Sequence, residues 1–271
     1  MTAWLFVPGS RPERFDKAAA AGAAEVVLDL EDAVGGDDKG AAREAVVAWL
    51  DAGGTGWVRV NAAGTPWHDA DLAALAALVV APDAAGLRGV VLPKAEDPED
   101  VRRVLAVLPD GAGLVPLVES ARGVLGAAAI AASPGVTRLA FGSVDYSLDI
   151  GAEEEPATLA HPRSVLVVAS RAAGLAAPVD GVTTDVRDEA LVAADADRAR
   201  RLGFGAKLCI HPAQVPVVRR VFTPSDEDLA WARGVLDAAG AHPTGAAFAH
   251  EGRMVDAPVL ARARVLLDRA P

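Results

Sequence analysis

The chain alternates between short runs of apolar, β-prone residues and alanine-rich stretches whose apolar positions recur with helical spacing. Continuous apolar runs are typical of buried parallel strands, and the stretches between them are long enough to form connecting helices. Eight strands are predicted: Trp4–Pro8, Glu25–Asp32, Gly56–Asn61, Gly89–Lys94, Leu114–Glu119, Arg138–Gly142, Pro178–Val182 and Ala206–His211. Helices are predicted near Arg11–Ala21, Lys39–Asp51, Trp67–Val80, Pro98–Leu108, Ala121–Ala132, Pro162–Ala173, Arg187–Leu202 and Pro212–Val221.

This alternation indicates the fold class. Strands joined by helices run parallel, and right-handed crossovers wind them in one direction around a sheet. Eight such units that close on themselves form a (β/α)8 TIM barrel, the α/β fold that we expect here. The alternative is an open doubly wound sheet, which usually carries a Gly-rich phosphate loop after its first strand. The first strand instead continues through Val-Pro-Gly-Ser-Arg, which fits neither a dinucleotide-binding fingerprint nor a P-loop.

The residues after about 222 are not needed to complete an eight-stranded barrel. We expect a catalytic barrel domain over residues 1–222 and a C-terminal helical extension over residues 223–271. Ser225, with Asp228 three residues later, predicts a capping box that opens a helix to about Ala239. A break over Gly240–Gly245, an extended segment to about residue 255 and a final helix over Pro258–Arg269 are expected to follow. The extension either covers the barrel or a neighbouring subunit, or brings a residue into an active site.

Composition narrows the class of function. The net charge of −11 argues against a nucleic-acid or anionic membrane surface. Apolar residues make up 52% of the chain, but the fraction is inflated by alanine and no apolar run is long enough to cross a bilayer. The N-terminal residues do not resemble a signal peptide, so a cytoplasmic location is expected. The single cysteine, Cys209, excludes an internal disulfide and a cysteine-based metal site, and is expected to be a small core residue.

Polar residues end most of the predicted strands. In TIM barrels the active site lies at the C-terminal ends of the strands, so ionisable residues there face one common surface. A single such ending would carry little weight, whereas seven of the eight runs argue for an enzyme. These endings are Ser10 with Arg11, Asp29 with Glu31 and Asp32, Arg59 with Asn61, Lys94 with Glu96, Glu119 with Ser120, Asp145, and His211.

Glu119 and Asp145 are the candidate metal ligands. They are expected at the ends of two successive strands, where their carboxylates can converge on one point. Two hard oxygen ligands without a His or Cys cluster suit Mg²⁺ or Mn²⁺, with water and substrate oxygens completing the coordination. The structural alternative is that Glu119 pairs with Arg59 or Arg122 while Asp145 caps the following turn.

Arg59 occupies an alternating strand, where a buried guanidinium requires an anionic partner. Placed beside a metal, the planar guanidinium of Arg59 is suited to bind a carboxylate or an enolate oxygen. Of the two acids that follow the second strand, Glu31 is favoured as the residue that orders Arg59 or metal-bound water, and Asp32 is left to cap a helix.

Other cations have competing interpretations. Arg11 and Lys17 can receive phosphates near the first loop and helix, or can belong to a solvated helix face. Lys94 can act as a Schiff-base lysine, as in one class of barrel aldolases, but Glu96 can pair with it instead. His211 is expected to be a hydrogen-bonded structural group.

Eight stretches resemble one known family throughout. They are LFVPGSRPERFDKA, VVLDLEDAV, VRVNAAGT, VLPKAEDPEDV, PLVESARGV, FGSVDYSLDIG, GFGAKLCIHPAQVPVVRRVFTPS and GRMVDAPV, in order from residue 5 to residue 259. These stretches are similar to the citrate lyase β-subunit-like (CitE-like) proteins of the HpcH/HpaI aldolase family, which are related to malyl-CoA and citramalyl-CoA lyases.

The resemblance implies a homotrimeric (or hexameric) barrel enzyme that uses Mg²⁺ to cleave or form carbon–carbon bonds in 3-hydroxyacyl-CoA thioesters. It places the metal on Glu119 and Asp145 and the oxo acid on Arg59. It also places Phe6, Arg11 and Lys17 against the CoA or acyl-CoA substrate. In malyl-CoA lyase-like members, the aspartate of the MVD motif reaches a neighbouring subunit's site as an acid/base, and that residue is Asp256 here.

Two motifs depart from the family pattern. The usual Glu-Thr-Ala is Glu119-Ser120-Ala121, and the usual Gly-Ala-Glu-Asp is Gly142-Ser143-Val144-Asp145. In the second motif, Val144 replaces the acid that usually precedes the ligand Asp145. This departure is expected to affect substrate preference more than metal binding. The expected reaction is cleavage of malyl-, citramalyl-, citryl- or hydroxymethylglutaryl-CoA into acetyl-CoA and an oxo acid. The alternatives are a synthase-type condensation with thioester hydrolysis, and a non-catalytic acyl-CoA-binding subunit.

Overall fold

The computed structural model describes residues 2–78, 86–242 and 247–270. Eight parallel strands pair in chain order, and the first also pairs with the eighth, so the sheet closes into a barrel. This confirms the predicted TIM barrel and excludes the open doubly wound sheet. The strands are β1 (Ala3–Pro8), β2 (Glu25–Asp29), β3 (Thr55–Arg59), β4 (Gly86–Leu92), β5 (Gly113–Val118), β6 (Ala140–Phe141), β7 (Val179–Asp180) and β8 (Ala206–Cys209).

Helices follow the strands as the sequence pattern predicts, with one addition. They are α1 (Phe15–Ala19), α2 (Lys39–Asp51), α3 (His68–Ala76), α4 (Pro98–Leu105), α5 (Ala121–Ala131), α6 (Ser143–Ile150), α7 (Ala160–Ala172), α8 (Glu189–Leu202) and α9 (Gln214–Phe222). The unpredicted helix is α6, which begins immediately after β6 and precedes the expected α7. The predicted end of α3 at Val80 lies outside the described residues.

Alternate residues of each strand face the barrel interior, because successive side chains of a strand point to opposite faces. The interior cluster combines two tilted indoles, with ring centroids 5.2 Å apart, and smaller aliphatic side chains. Its buried members are Trp4, Val27, Trp57, Val91, Val115, Leu117, Ala140, Val179, Ala206 and Leu208. This apolar layer fills the barrel below the strand ends, so the next residues along each strand form the floor of any site there.

The chain forms two compact units, Met1–Arg219 and Arg220–Pro271. The smaller unit contains α10 (Asp226–Gly240), the antiparallel pair β9 (Phe248–His250) and β10 (Arg253–Val255), and α11 (Ala257–Asp268). Ser225 and Asp228 form the predicted capping box at the start of α10. Part of the predicted break over 240–245 lies outside the described residues. The boundary predicted at residue 222 falls at the end of α9.

No helix in the described part of the chain combines the length and apolar character needed to cross a membrane.

A buried ionic group ties α7 to the outer face of the barrel. Arg163 donates from Nε to Asp180 Oδ1 at 2.7 Å, and Lys207 Nζ lies 3.7 Å from Asp180 Oδ2. Lys207 also donates to the carbonyl of Gly181 at 2.6 Å. All three charged side chains are at least 95% buried, since their exposures are 4%, 0% and 1%. Asp180 therefore compensates two cations that solvent does not reach.

Replacement of Asp180 by alanine should destabilise the barrel by about 3–5 kcal/mol, because it leaves two buried cations without an anion. Urea denaturation followed by circular dichroism measures the loss. The matched control is Asp197→Ala, which removes partly exposed pairs with Arg200 and Arg201 and should cost less than about 1 kcal/mol. Equal losses for the two variants would show that the buried group contributes no more than a surface pair.

Candidate active site

Three charged residues continue the interior face of the barrel above its apolar layer. Asp29, Arg59 and Glu119 each follow an interior apolar residue by two positions, so strand periodicity turns their side chains inward. Asp29 of β2 and Arg59 of β3 are also partners in the strand register. The sequence alternation thus determines that these charges meet at the C-terminal end of the barrel.

A cavity of about 340 Å³ opens at this end. Its lining combines apolar side chains with carboxylates and the guanidinium of Arg59. Its lining residues are Phe6, Pro8, Asp29, Asp32, Ala33, Arg59, Leu117, Glu119, Phe141, Gly142, Ser143, Val144, Asp145, Val182, Leu208 and Ile210. The predicted metal ligands, the predicted arginine and Phe6 therefore share one cavity.

Arg59 is held by two acids and an aromatic ring. Asp29 accepts from Nε and Nη2 at 2.7 and 2.6 Å, a bidentate pair. Glu31 Oε2 lies 3.0 Å from Nη1, and the guanidinium stacks 4.7 Å above the ring of Phe6. Burial acts to lower the pKa of Arg59, but the carboxylates of Asp29, Glu31 and Glu119 together outweigh it and the pKa is raised. The guanidinium is therefore a fixed, permanently charged group that still has N–H donors to offer.

The predicted link between Glu31 and Arg59 is present, whereas the larger role of Asp29 was missed. Asp29 also accepts from the backbone N–H groups of Glu31 and Ala33, so it fixes the loop that carries Glu31. The signal was available in the sequence, because Asp29 and Arg59 both lie two residues beyond an interior position. Asp32, assigned to helix capping, lines the cavity instead.

Lys39 also stabilises the loop that carries Glu31. Its Nζ donates to the carbonyl oxygens of Leu30 and Glu31, each at 2.7 Å, and lies 5.3 Å above the ring of Trp67. The residue is only 6% exposed, and burial lowers its pKa. The sequence does not predict this role of Lys39, because its partners are backbone carbonyls rather than side chains.

Glu119 is buried and oriented by its surroundings. Its Oε1 accepts from the backbone N–H of Lys94 at 2.7 Å. A Cβ at position 142 would lie 2.6 Å from Glu119 Cβ and would also overlap Oε2, so Gly142 leaves the space that this carboxylate occupies. Burial, together with the Glu31 and Asp145 carboxylates, raises the pKa of Glu119 to about 8. Arg122, the alternative partner, lies near Glu96 and Asp97 instead.

Asp145 is not at a strand end, and this part of the prediction was wrong. Strand β6 ends at Phe141, Gly142 is the N-cap residue of α6, and Asp145 lies in the first turn of that helix. No side chain caps the start of α6, so the carboxylate of Asp145 is not occupied in that way. Its side chain is 35% exposed and faces the same cavity as Glu119.

Lys94 contacts the acids of the site rather than Glu96. Its Nζ lies 3.5 Å from Glu31 Oε1 and 4.0 Å from Asp145 Oδ1. Glu96, the predicted partner, accepts a hydrogen bond from Ser120 at 2.6 Å. Burial acts to lower the pKa of Lys94, but the nearby carboxylates outweigh it and raise the pKa, which keeps the amine protonated. A protonated amine is not nucleophilic, which argues against the Schiff-base alternative.

The residues present fit a hard divalent cation. Across residues 2–78, 86–242 and 247–270, no cluster of three or more His, Cys, Asp or Glu side chains is arranged to hold a metal. Mg²⁺ commonly uses only one or two carboxylates and completes its shell with water and substrate oxygens. Carboxylates outnumber cations around the cavity: Asp29, Glu31, Asp32, Glu119 and Asp145 against Arg59, Lys39 and Lys94. A divalent cation at Glu119 and Asp145 would offset this excess.

The other candidates make local contacts. Arg11 and Lys17 are exposed, and Arg11 pairs with Glu13 at 2.6 Å. Asp256 belongs to the smaller unit, where it caps α11 by accepting from Val259 N at 3.2 Å. His211 accepts from Ala213 N, and Cys209 is buried, where burial raises its pKa to about 12.

Comparison with known proteins assigns the family. The model of the HpcH/HpaI aldolase/citrate lyase family matches residues 2–212. The chain belongs to this family. It is 41% identical over 275 residues to the citrate lyase subunit beta-like protein of Mycobacterium tuberculosis, with 98% of this chain and 94% of that protein covered. The family comprises aldolases and lyases, so the cavity at the strand ends is a candidate lyase site.

Two further relatives carry informative names. The (3S)-malyl-CoA thioesterase of Cereibacter sphaeroides is 34% identical over 275 residues, covering 98% of this chain and 93% of the relative. A crystal structure of the protein CitE of Mycobacterium tuberculosis, in complex with magnesium, acetoacetate and coenzyme A, superposes with a TM-score of 0.84. The aligned sequences are 39% identical and cover 99% of this chain and 97% of that chain.

The raised pKa of Glu119 predicts that ionisation of this residue lowers the free energy of unfolding. In the folded chain the pKa is about 8 rather than the ordinary 4.5, so the folded state loses stability as the pH rises through this window. Glu119→Gln should therefore raise the melting temperature without metal by roughly 5 °C at pH 8, and by much less at pH 5. Added MgCl2 should stabilise only the unsubstituted protein. Differential scanning calorimetry tests both effects, and a pH-independent gain would contradict the assignment.

Proposed function

We propose that the chain is a Mg²⁺-dependent carbon–carbon lyase that reversibly cleaves a 3-hydroxyacyl-CoA into an acyl-CoA and an oxo acid. The observation that carries the proposal is the fixed guanidinium of Arg59 beside the carboxylates of Glu119 and Asp145 in one cavity. One face of this arrangement suits a metal, and the other suits a small oxo acid. The relative crystallised with magnesium, acetoacetate and coenzyme A supports the same pairing of ligands.

Glu119 and Asp145 would hold the cation, with Mn²⁺ as a possible substitute for Mg²⁺. Bound there, a divalent cation supplies Lewis-acid polarisation of the substrate's oxygens. Glu31 keeps Arg59 in place and is suited to order a water molecule at the cation, because its carboxylate lies between Arg59 and Lys94.

Cleavage requires a proton and an electron pair to move. A base removes the proton of the 3-hydroxyl, its oxygen becomes the carbonyl of the oxo acid, and the C2–C3 bond breaks toward the thioester. The resulting enolate then takes a proton at its α-carbon and becomes the acyl-CoA. Arg59 stabilises the developing oxyanion and binds the oxo acid, a contribution worth roughly 3–4 kcal/mol for one well-placed donor.

The remaining roles concern the thioester and the subunits. Phe6 lines the cavity, and Arg11 and Lys17 offer exposed cations near the end of β1, where phosphates of coenzyme A would bind. We assign the proton transfer to Asp256 of an adjacent protomer in a homotrimer or hexamer. Its carboxylate caps α11 through Oδ1 alone, which leaves Oδ2 for a proton.

Activity assays on a substrate panel test the reaction. At least one of malyl-, citramalyl-, citryl- and hydroxymethylglutaryl-CoA should be cleaved with MgCl2 and not with EDTA. Glu119→Ala and Asp145→Ala should each lower kcat by at least about 100-fold, because they remove the ligands of the cation. The control is Glu99→Ala, an exposed acid of α4. Full activity in a normally folded Glu119→Ala protein would overturn the proposed metal site.

A second candidate is thioester hydrolysis, favoured by the relative named a malyl-CoA thioesterase. Hydrolysis can follow a condensation, or can release a hydroxy acid directly. The same panel distinguishes these outcomes by its products. Free CoA in equal amount to a hydroxy acid indicates hydrolysis, whereas acyl-CoA with an oxo acid indicates the lyase.

Mixed oligomers test the shared site. Arg59→Ala and Asp256→Ala should each be inactive, but their co-expressed mixture should regain about a quarter of full activity, because random trimers pair intact groups at that frequency. Size-exclusion chromatography with light scattering establishes that mixed oligomers form. A mixture of Arg59→Ala with Glu119→Ala serves as the control. It should stay inactive, because Arg59 and Glu119 belong to the same barrel and no protomer in the mixture has both. Lack of rescue in the first mixture would remove the role of Asp256 across subunits.

A further inference from the structure

Lys94 contacts three carboxylates of the site through its backbone N–H and its side chain. Its backbone N–H donates to Glu119 Oε1 at 2.7 Å, while its Nζ lies 3.5 Å from Glu31 Oε1 and 4.0 Å from Asp145 Oδ1. The backbone therefore orients one candidate metal ligand, and the side chain contacts the other.

The backbone at Lys94 is in a conformation that disfavours a lysine. Its φ is +50°, and among the described residues only Glu251 is another non-glycine with positive φ. Glycine adopts this conformation without a steric penalty. The lysine side chain is therefore present at a conformational cost, and its contacts with Glu31 and Asp145 are the interactions that offset this cost.

We infer that Lys94 is a positioning residue that serves as the counter-cation of the acidic cluster and limits its affinity for the divalent cation. The inference rests on the proposed metal site at Glu119 and Asp145. Without metal, the ammonium group reduces repulsion among the carboxylates and keeps Asp145 at the cavity. When the metal binds, the ammonium competes for Asp145 and repels the incoming charge. A cation of moderate affinity is the consequence.

The inference predicts opposite effects on the two states of the protein. Loss of the ammonium removes a repulsion of the metal, so Mg²⁺ should bind more tightly. It also leaves the carboxylates less compensated in the metal-free protein, which should melt at a lower temperature. Because the Lys94 side chain is 46% exposed, both effects should weaken at high ionic strength. If Lys94 had only a structural role, its replacement would not make Mg²⁺ bind more tightly.

Isothermal titration with MgCl2 on the full-length protein tests the inference. Lys94→Gln should lower the Kd for Mg²⁺ by about tenfold at low salt, and by less in 0.5 M KCl. Lys94→Arg keeps the charge and should stay within about twofold of the original Kd. Lys94→Gly removes the charge and also relieves the backbone, so it separates strain from charge. Arg102→Gln, on the exposed face of α4, is the control for loss of one positive charge.

The outcomes separate this inference from the proposed function. If the unsubstituted protein binds no Mg²⁺, the metal site itself fails. If it binds Mg²⁺ and Lys94→Gln binds no more tightly, or more weakly, the counter-cation role is overturned. Tightening in Lys94→Gly but not in Lys94→Gln would assign the effect to backbone strain and also reject the role. Tightening in both, with Arg102→Gln unchanged, would support it.

Discussion

Asp29 and Arg59 end two neighbouring strands, in register, on the interior face of the barrel, and form a bidentate ion pair there. A buried guanidinium requires such a partner, because removal from water is costly unless its charge and its N–H groups are satisfied. The same carboxylate also accepts from the backbone of Glu31, which returns to Arg59 from the other side. Among the described residues, Arg59 is the only cation that lines the cavity. Its orientation thus depends on Asp29.

The strand ends concentrate more negative than positive charge, and this excess is costly for the folded protein. Burial and neighbouring carboxylates raise the pKa of Glu31 to about 7 and of Glu119 to about 8. A barrel selected for stability alone would place neutral residues there, since an uncompensated buried carboxylate opposes folding. A retained excess of this kind is expected where a ligand brings the opposite charge. Around Asp180, by contrast, each buried charge has an oppositely charged side chain of the barrel beside it.

The fold and part of the site could be predicted because both follow from periodicity. Alternation along β3 placed Arg59 inside the barrel, and the apolar runs gave all eight strands. Asp145 was misplaced because the chain turns into α6 directly at Gly142, and a helix of eight residues after a strand of two carries little periodic signal. The contacts of Lys39 and Lys94 were not predictable, since they depend on backbone carbonyls and on a positive φ that no side-chain pattern reveals.

Gly142 links the shape of the cavity to its chemistry. It follows the interior residue Ala140 by two positions, as Glu119 follows Leu117, so the two residues occupy the same layer of neighbouring strands. Any side chain at position 142 would occupy the space of the Glu119 carboxylate. The chain also leaves β6 and begins α6 at this residue, which places Asp145 at the cavity from a helix rather than a strand. The lack of a side chain at position 142 therefore leaves room for the Glu119 carboxylate, and the turn at the same residue brings Asp145 to the cavity.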